Sequence, residues 1–363
     1  MLKIQRRLKS VMIVSQGYPP FGRYLAEAFS ARGVKASVLC TDLNTWFDKW
    51  VIHTVNKQLH NLKLLPKQKS LLVNHRWAHR NYLDSKFRSQ FKKEQPDMVF
   101  AIRGATYCEQ SIKESGSFSF GWWVEPGNRA HEVFAELKNF EWYYSMNTEG
   151  LDRFRGQGFE ACSYMPHMFS ATEFFPMAEV EKTIDLVFVG KWTPRRQVYL
   201  DAALEVTNSV VLYGEGWLSR NWTNLKYWKA WKGCLVKGAK LNRLYNRAKV
   251  VLNITQWGSD ASQPTSGMNM RFFEVPATES LLMSDHVEEA ESIFQEGQDY
   301  LCFGETQDLK NKLQQILQDS EKRMQIARNG YMAVQNNNAS YDRLVVDVIE
   351  RFASLQQNKC ADI

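Results

Sequence analysis

Gly267-Met268-Asn269-Met270-Arg271-Phe272-Phe273-Glu274, followed by Ser280-Leu281-Leu282-Met283-Ser284-Asp285, reads as a loop, a short helix with one charged pair, and a buried strand. A helix N-terminus offers backbone N–H groups and a partial positive charge, which suits a diphosphate. Glu274 stands one turn further in, where a carboxylate accepts hydrogen bonds from two neighbouring ribose hydroxyls. The stretch points to a site for a nucleotide joined to something else through phosphates.

Outward from that stretch, apolar runs alternate with helical patterns. In the first half the runs Val11–Ser15, Val34–Cys40, Met98–Ile102, Phe118–Val124 and Trp142–Ser145 read as strands, and Phe21–Ala31 as a helix stopped at Gly33. Pro166 and the stretch from Ser170 to Pro176 read as an inter-domain connection. Strands then restart at Asp185–Gly190, Val210–Gly214, Lys249–Ile254, Glu279–Ser284 and Tyr300–Phe303, and three helical patterns follow from Thr306. Strands separated by helices predict parallel sheets with right-handed crossovers. Two such halves, each with strands opening onto loops, place a ligand in a cleft beyond the strand ends.

At 363 residues the chain has room for two cores. Its 12 Trp, 14 Tyr and 21 Phe suit sugar or base stacking, although most such rings belong in cores. A net charge of +7 favours an anionic partner. The six scattered cysteines make neither a metal clip nor a disulfide framework, which suits free thiols in a reducing compartment. The N-terminus is a poor signal peptide, and no stretch approaches the roughly 20 apolar residues of a membrane span. The expected location is cytoplasmic, at most at the inner face of a membrane. Between Trp46 and Gln95, eleven Lys and Arg residues oppose Asp48, Asp84 and Glu94, with rings interleaved. The plainer reading is a pair of solvated helices with buried aromatics. The sharper one is a basic, aromatic face over residues 49–93 for a lipid-linked or anionic acceptor, with peripheral membrane contact. No nucleic-acid-binding motif accompanies the charge, so nucleic acid is not an expected partner.

Val187-Phe188-Val189-Gly190-Lys191 with Pro194-Arg195-Arg196, then Leu241 to Ile254, then Arg271-Phe272-Phe273-Glu274, then a last helix opening Ser340-Tyr341-Asp342-Arg343, follow an order that resembles the C-terminal domain of group 1 glycosyltransferases, especially the CgeB-like branch. The resemblance covers roughly residues 183–355 in motif order. It implies the α/β GT-B fold, two Rossmann-like domains with parallel sheets facing across a cleft. Residues 1–168 would form the acceptor-side domain, 169–340 the nucleotide-sugar-binding domain, and 341–363 a helix crossing back. The resemblance assigns Glu274 to the donor ribose, Gly190 to close approach of the donor, and Lys191, Arg195 or Arg196 to phosphate charge. It assigns Arg271 and the backbone of Met268, Asn269 and Met270 to the phosphate-binding turn. Two departures stand out: Ser266 replaces a glutamate frequent eight residues before Glu274, and Glu279 replaces a glycine before the next strand.

Sugar transfer from a nucleotide requires stabilisation of a departing diphosphate, which cations and N–H groups supply; neither a metal nor another cofactor is expected. Within one helix, Arg271 has an equal alternative, an ion pair with Glu274. Glu125, just past a strand end, is the first candidate base and His131 the second. Tyr213 or Trp217 is placed to stack on the base. The expected partners are a nucleotide sugar and a glycan or lipid-linked acceptor, in cell-envelope polysaccharide synthesis. A sugar-nucleotide epimerase, a phosphorylase, or a non-catalytic nucleotide- or glycan-binding module on the same scaffold are the competing readings. No phosphorylase cofactor-lysine motif is present.

Overall fold

The computed structural model describes residues 7–42, 44–66, 69–103, 109–255 and 266–361. The chain forms two units. The first comprises Met1–Met146, Gly150–Met165 and Leu344–Ile363, and the second Asn147–Glu149 and Pro166–Arg343.

The first unit contains strands β1 (Ser10–Ser15), β2 (Lys35–Cys40), β3 (Met98–Ile102), β4 (Phe118–Trp123), β5 (Trp142–Ser145) and β6 (Cys162–Tyr164). They form one sheet in the order β2-β1-β3-β4-β5-β6, and every pairing is parallel. β3 is buried at all five positions, as a parallel strand covered on both faces must be. Gly121 in β4 leaves room for the Tyr143 ring: a Cβ there would lie 2.1 Å from that ring's Cε2. The unit's helices are α1 (Phe21–Ala31), α2 (His53–Asn61), α3 (His79–Glu94), α4 (Glu109–Ser115) and α5 (Thr148–Gly156), the last beginning in the short stretch assigned to the second unit. The C-terminal helix, from Leu344 onward, also packs here. Its Phe352 ring meets Phe118 edge-on at 5.2 Å. Its Asp347 accepts the Tyr144 hydroxyl at 2.6 Å, and burial first, then that carboxylate, push the phenol well above its ordinary range.

The second unit repeats the plan. Strands β7 (Ile184–Val189), β8 (Val210–Tyr213), β9 (Trp231–Gly233), β10 (Ala248–Asn253), β11 (Leu281–Asp285) and β12 (Leu301–Phe303) lie in the order β12-β11-β10-β7-β8-β9, again all parallel. Its helices are α6 (Pro194–Val206), α7 (Trp217–Arg220), α8 (Leu225–Ala230), α9 (Ala239–Asn246), α10 (Arg271–Ala277), α11 (Thr306–Gln318) and α12 (Ser320–Asn336); α13 (Tyr341–Ala361) runs on into the first unit's set. Two apolar cores sandwich the sheet, one built on Leu186, Leu212, Leu252 and Met283, the other on Val187, Val251, Phe273 and Leu282. Alternate residues of each strand therefore serve opposite faces. Two six-stranded parallel sheets covered by helices constitute the GT-B plan.

The short edge strands β6 and β9 are additions to the sequence expectation. The other ten agree with it to within two residues at either end. Glu279 has φ +52°, in the left-handed region that glycine occupies most easily. That is the physical reason a glycine suits this turn into β11.

Candidate functional site

The carboxyl ends of β7, β10 and β11 bring together Arg195, Arg196, Arg271 and Asp285. Thr193 starts α6 by accepting the Arg196 N–H on Oγ1 at 3.2 Å, with Pro194 at the first helical position. This cap sets Arg195 and Arg196 in the first turn beyond β7. Arg195 donates to Asp285 at 2.7 Å and to the Thr255 carbonyl at 3.2 Å. Arg196 is buried, and its guanidinium donates to the carbonyls of Ile254 and Lys191. Burial, reinforced by Arg271 and then Arg195, lowers its pKa to about 9. Among the described residues, Arg195–Asp285 is the single ion pair made by these three arginines.

Asn253 and Ser284 are register partners on β10 and β11. The Asn253 amide donates to Ser284 Oγ at 2.9 Å. Its carbonyl oxygen accepts from Asn269 Nδ2 at 2.9 Å and from Arg271 at 3.3 Å. Asp285 adds the Thr255 N–H and hydroxyl to its Arg195 contact. One polar network thus ties two strand ends to the turn before α10. Asn253, Thr255 and Asp285 were not singled out in the sequence because their partners lie 16 to 90 positions away.

The turn itself is anchored by Glu289, which accepts Ser266 Oγ at 3.1 Å and the Gly267 N–H at 3.0 Å. A carboxylate therefore stands beside position 266, supplied from the short 3-10 helix Glu288–Ser292, 23 places downstream, with both oxygens occupied. The N–H groups of Arg271, Phe272, Phe273 and Glu274 all donate within the turn and helix. Those of Met268, Asn269 and Met270 meet no acceptor among the described residues. The unengaged donors thus precede α10 instead of lying in its first turn. Met268 is buried, while Asn269 and Met270 are half-buried.

Glu274 is only 5% exposed, and its carboxyl group makes no hydrogen bond among the described residues. The helical ion pair with Arg271 does not form; Arg271 reaches Asn253 instead. Burial raises the Glu274 pKa to about 8, against the smaller lowering pull of Arg271 and helped by Glu173. The carboxyl group is therefore mostly protonated at neutral pH, where the sequence reading placed a carboxylate.

Other expected positions do different work. Lys191 is a surface lysine paired with Glu215 at 3.4 Å, a contact of the weak exposed kind. The space at Gly190 is needed by Phe188 and Arg196, each about 3 Å from a Cβ built there. Tyr213 is half-buried and lies against Gly233. Trp217 is fully buried, stacks on Tyr227 at 5.6 Å and donates Nε1–H to the Gly190 carbonyl at 2.8 Å. It is a core residue with no ring face for a base, which corrects the stacking expectation for it. Gly214 has φ +151°, and a Cβ there would sit 1.9 Å from Gly190 O. Gly214→Ala should lower unfolding stability by about 3 kcal/mol or more; an unchanged urea midpoint would show that the β7 and β8 ends yield easily.

In the first unit, Glu125 bridges Arg103 at 2.8 Å and Arg129 at 3.0 Å. It fastens the turn after β4 to the end of β3. His131 is exposed, with Nδ1 3.1 Å from the Asn128 carbonyl.

Residues 195–350 match the family described as glycosyl transferase-like. Among solved structures, sucrose-phosphate synthase from Thermosynechococcus elongatus superposes with a TM-score of 0.67 at 13% identity, covering 96% of this chain and 100% of that one. Anabaena HepE, solved in complex with UDP and glucose, gives 0.59 at 11% identity, with 96% and 100% coverage. A UDP-N-acetylglucosamine 2-epimerase gives 0.53 at 9% identity, with 89% and 91% coverage. No curated protein matches the chain. Residues 195–350 are thus similar to a glycosyl transferase-like family, and the chain as a whole has the GT-B fold.

Proposed function

We propose that this chain is a glycosyltransferase of the CgeB-like branch. It moves a sugar from a nucleoside diphosphate donor to a glycan or lipid-linked acceptor in cell-envelope polysaccharide synthesis, on the cytoplasmic side. The observation that carries the reading is the largely buried Glu274 carboxyl, which makes no hydrogen bond among the described residues, near Arg271, itself one of three neighbouring arginines that make one ion pair among the described residues. Buried polar groups normally find partners, and those left without one mark a place for a ligand. The ends of parallel strands are where such ligands bind.

In this reading Glu274 takes the ribose hydroxyls. Arg271 and the N–H groups of Met268, Asn269 and Met270 take the diphosphate. Arg195 and Arg196, already held by the protein, supply a fixed positive background that stabilises charge on the leaving group without a metal. Proton removal from the acceptor belongs to His131, with Glu125 holding its turn in place through Arg129. UDP is the nucleotide favoured by the likeness to HepE.

Thermal unfolding with UDP, GDP, CMP and TDP tests this, because a ligand bound by the native state raises the midpoint by mass action. UDP should give the largest rise. His131→Ala should keep that rise while lowering sugar transfer about a hundredfold. A donor that is bound but never transferred or hydrolysed would leave a binding module, and no response to any nucleotide would overturn the site.

A further inference from the structure

The basic, aromatic segment after β2 has an unexpected distribution of exposure. Of the rings in this segment, Phe47, Tyr82 and Phe91 are half-buried and the others lie at the two extremes. Phe87, with Leu83 beside it on α3, is inside. Trp46, Trp50 and Trp77 are outside, at 71%, 60% and 44% exposed. Leu62, Leu64, Leu71, Leu72 and Val73 are exposed as well. Scattered surface apolar residues need no explanation, but nine large ones within 32 consecutive positions, Val55 included, do.

This surface is built. Trp46 and Trp50 stand four residues apart on a continuous helical run whose middle, Asp48–Ile52, is a π-helix, a form concentrated at functional sites. Ile52 and Asn56 anchor the opposite side of that run inside. The following loop is clipped to it in three places. The Asn56 side chain exchanges two hydrogen bonds with the Leu71 backbone, at 2.6 and 3.1 Å. His60 Nε2 lies 2.8 Å from the Lys69 carbonyl, and Thr45 Oγ1 donates to the Trp77 carbonyl at 2.5 Å. Leu72 is held at φ +62°, a conformation unfavourable for leucine, so its outward display is imposed by the surrounding bonds.

Charge accompanies the apolar groups. Lys49, Lys57, Lys63, Lys69, Arg76 and Arg80 are exposed in the same stretch. The single acidic residue among the described positions 44–80 is Asp48, and one of its oxygens accepts the His79 N–H. Lys49 and Arg76 lie over the rings of Trp50 and Trp77, 5.5 and 4.7 Å from the centroids. Exposed indole rings, leucines and ammonium groups interleaved along one clipped segment match the boundary of an anionic bilayer, where rings and leucines enter the headgroup layer and cations meet phosphates. No helix among the described residues is long and apolar enough to cross a membrane, so the contact is peripheral.

We propose that residues 44–80 dock the protein onto the surface of an anionic phospholipid bilayer. The docking needs no nucleotide chemistry and so stands or falls apart from the glycosyltransferase reading. Flotation of the full chain with vesicles tests it, using phosphatidylcholine alone and phosphatidylcholine with about one-third phosphatidylglycerol. The protein should float with the anionic vesicles at low salt and release near 1 M salt, where screening acts over about 3 Å. Trp46→Ser/Trp50→Ser/Leu64→Ser and Lys49→Glu/Lys63→Glu/Lys69→Glu should each reduce the bound-to-free ratio at least about tenfold. Both variants should keep native circular dichroism and the native response to UDP. Flotation that is equal on neutral vesicles, or unaltered in either variant, overturns the proposal. So does a dimer in solution that the Trp46→Ser/Trp50→Ser/Leu64→Ser variant dissolves, because the surface would then bind its own copy.

Discussion

Replacing Glu274 by glutamine should make the protein more stable and a far poorer binder of nucleotide. The carboxyl group titrates near 4.5 in an unfolded chain and at about 8 in the fold, chiefly because burial penalises its charge. Its pKa is raised, so its contribution to stability is fully present below 4.5 and is lost as the pH rises towards 8. At pH 7 that loss amounts to about 3 kcal/mol. Glutamine is neutral at every pH and escapes it. The unfolding midpoints of the two proteins should coincide near pH 4 and separate steadily up to about pH 8, with the variant above. Parallel midpoint curves would mean that the carboxyl is not held neutral.

Nucleotide affinity should move the other way. Two ribose hydroxyls both donate, so they require the ionised carboxylate, and binding releases a proton from the native protein. UDP affinity should therefore rise by up to tenfold per pH unit as the pH approaches 8, then level off. Glu274→Gln should show no such slope and should bind about a hundredfold more weakly above pH 8. Native affinity in the variant at that pH would remove Glu274 from the site. A destabilising group kept where it is chemically needed is the usual stability–function trade.

The parts of this arrangement legible in the sequence are the local ones. β3 announces itself because a strand covered on both faces is an unbroken apolar run, and the Val250–Leu252 core of β10 reads the same way. Glu274 and Arg271 sit in a helix opening of recognisable order. Cys162–Tyr164 and Trp231–Gly233 escape because a three-residue edge strand has no period to detect. Trp217 misleads because an indole beside a glycine turn looks the same in sequence whether it faces a ligand or a core. The Asp285 and Asn253 network is illegible for a different reason. Its bonds span 16 to 90 positions and exist only once β10 and β11 lie side by side in register.

That network carries the second large effect, because among the described residues three arginines share one carboxylate partner there. Arg195, Arg196 and Arg271 gather at the strand ends, and the one ion pair they make among the described residues is with Asp285. Asp285 is 2% exposed, so removing its charge strands Arg195 in a poorly solvated place. Asp285→Asn should cost about 3–5 kcal/mol in unfolding stability. An amide still accepts from Thr255, so the loss reports charge more than a missing hydrogen bond. The deficit also predicts its own remedy. Inorganic pyrophosphate bound beside the arginines replaces the missing negative charge, so it should raise the unfolding midpoint of Asp285→Asn more than that of the native protein, and sulfate less than pyrophosphate. If pyrophosphate stabilises both proteins equally, the arginines balance one another through the fold alone and no diphosphate is held there. A cost below about 1 kcal/mol would place the Arg195–Asp285 pair with ordinary surface contacts, despite its burial.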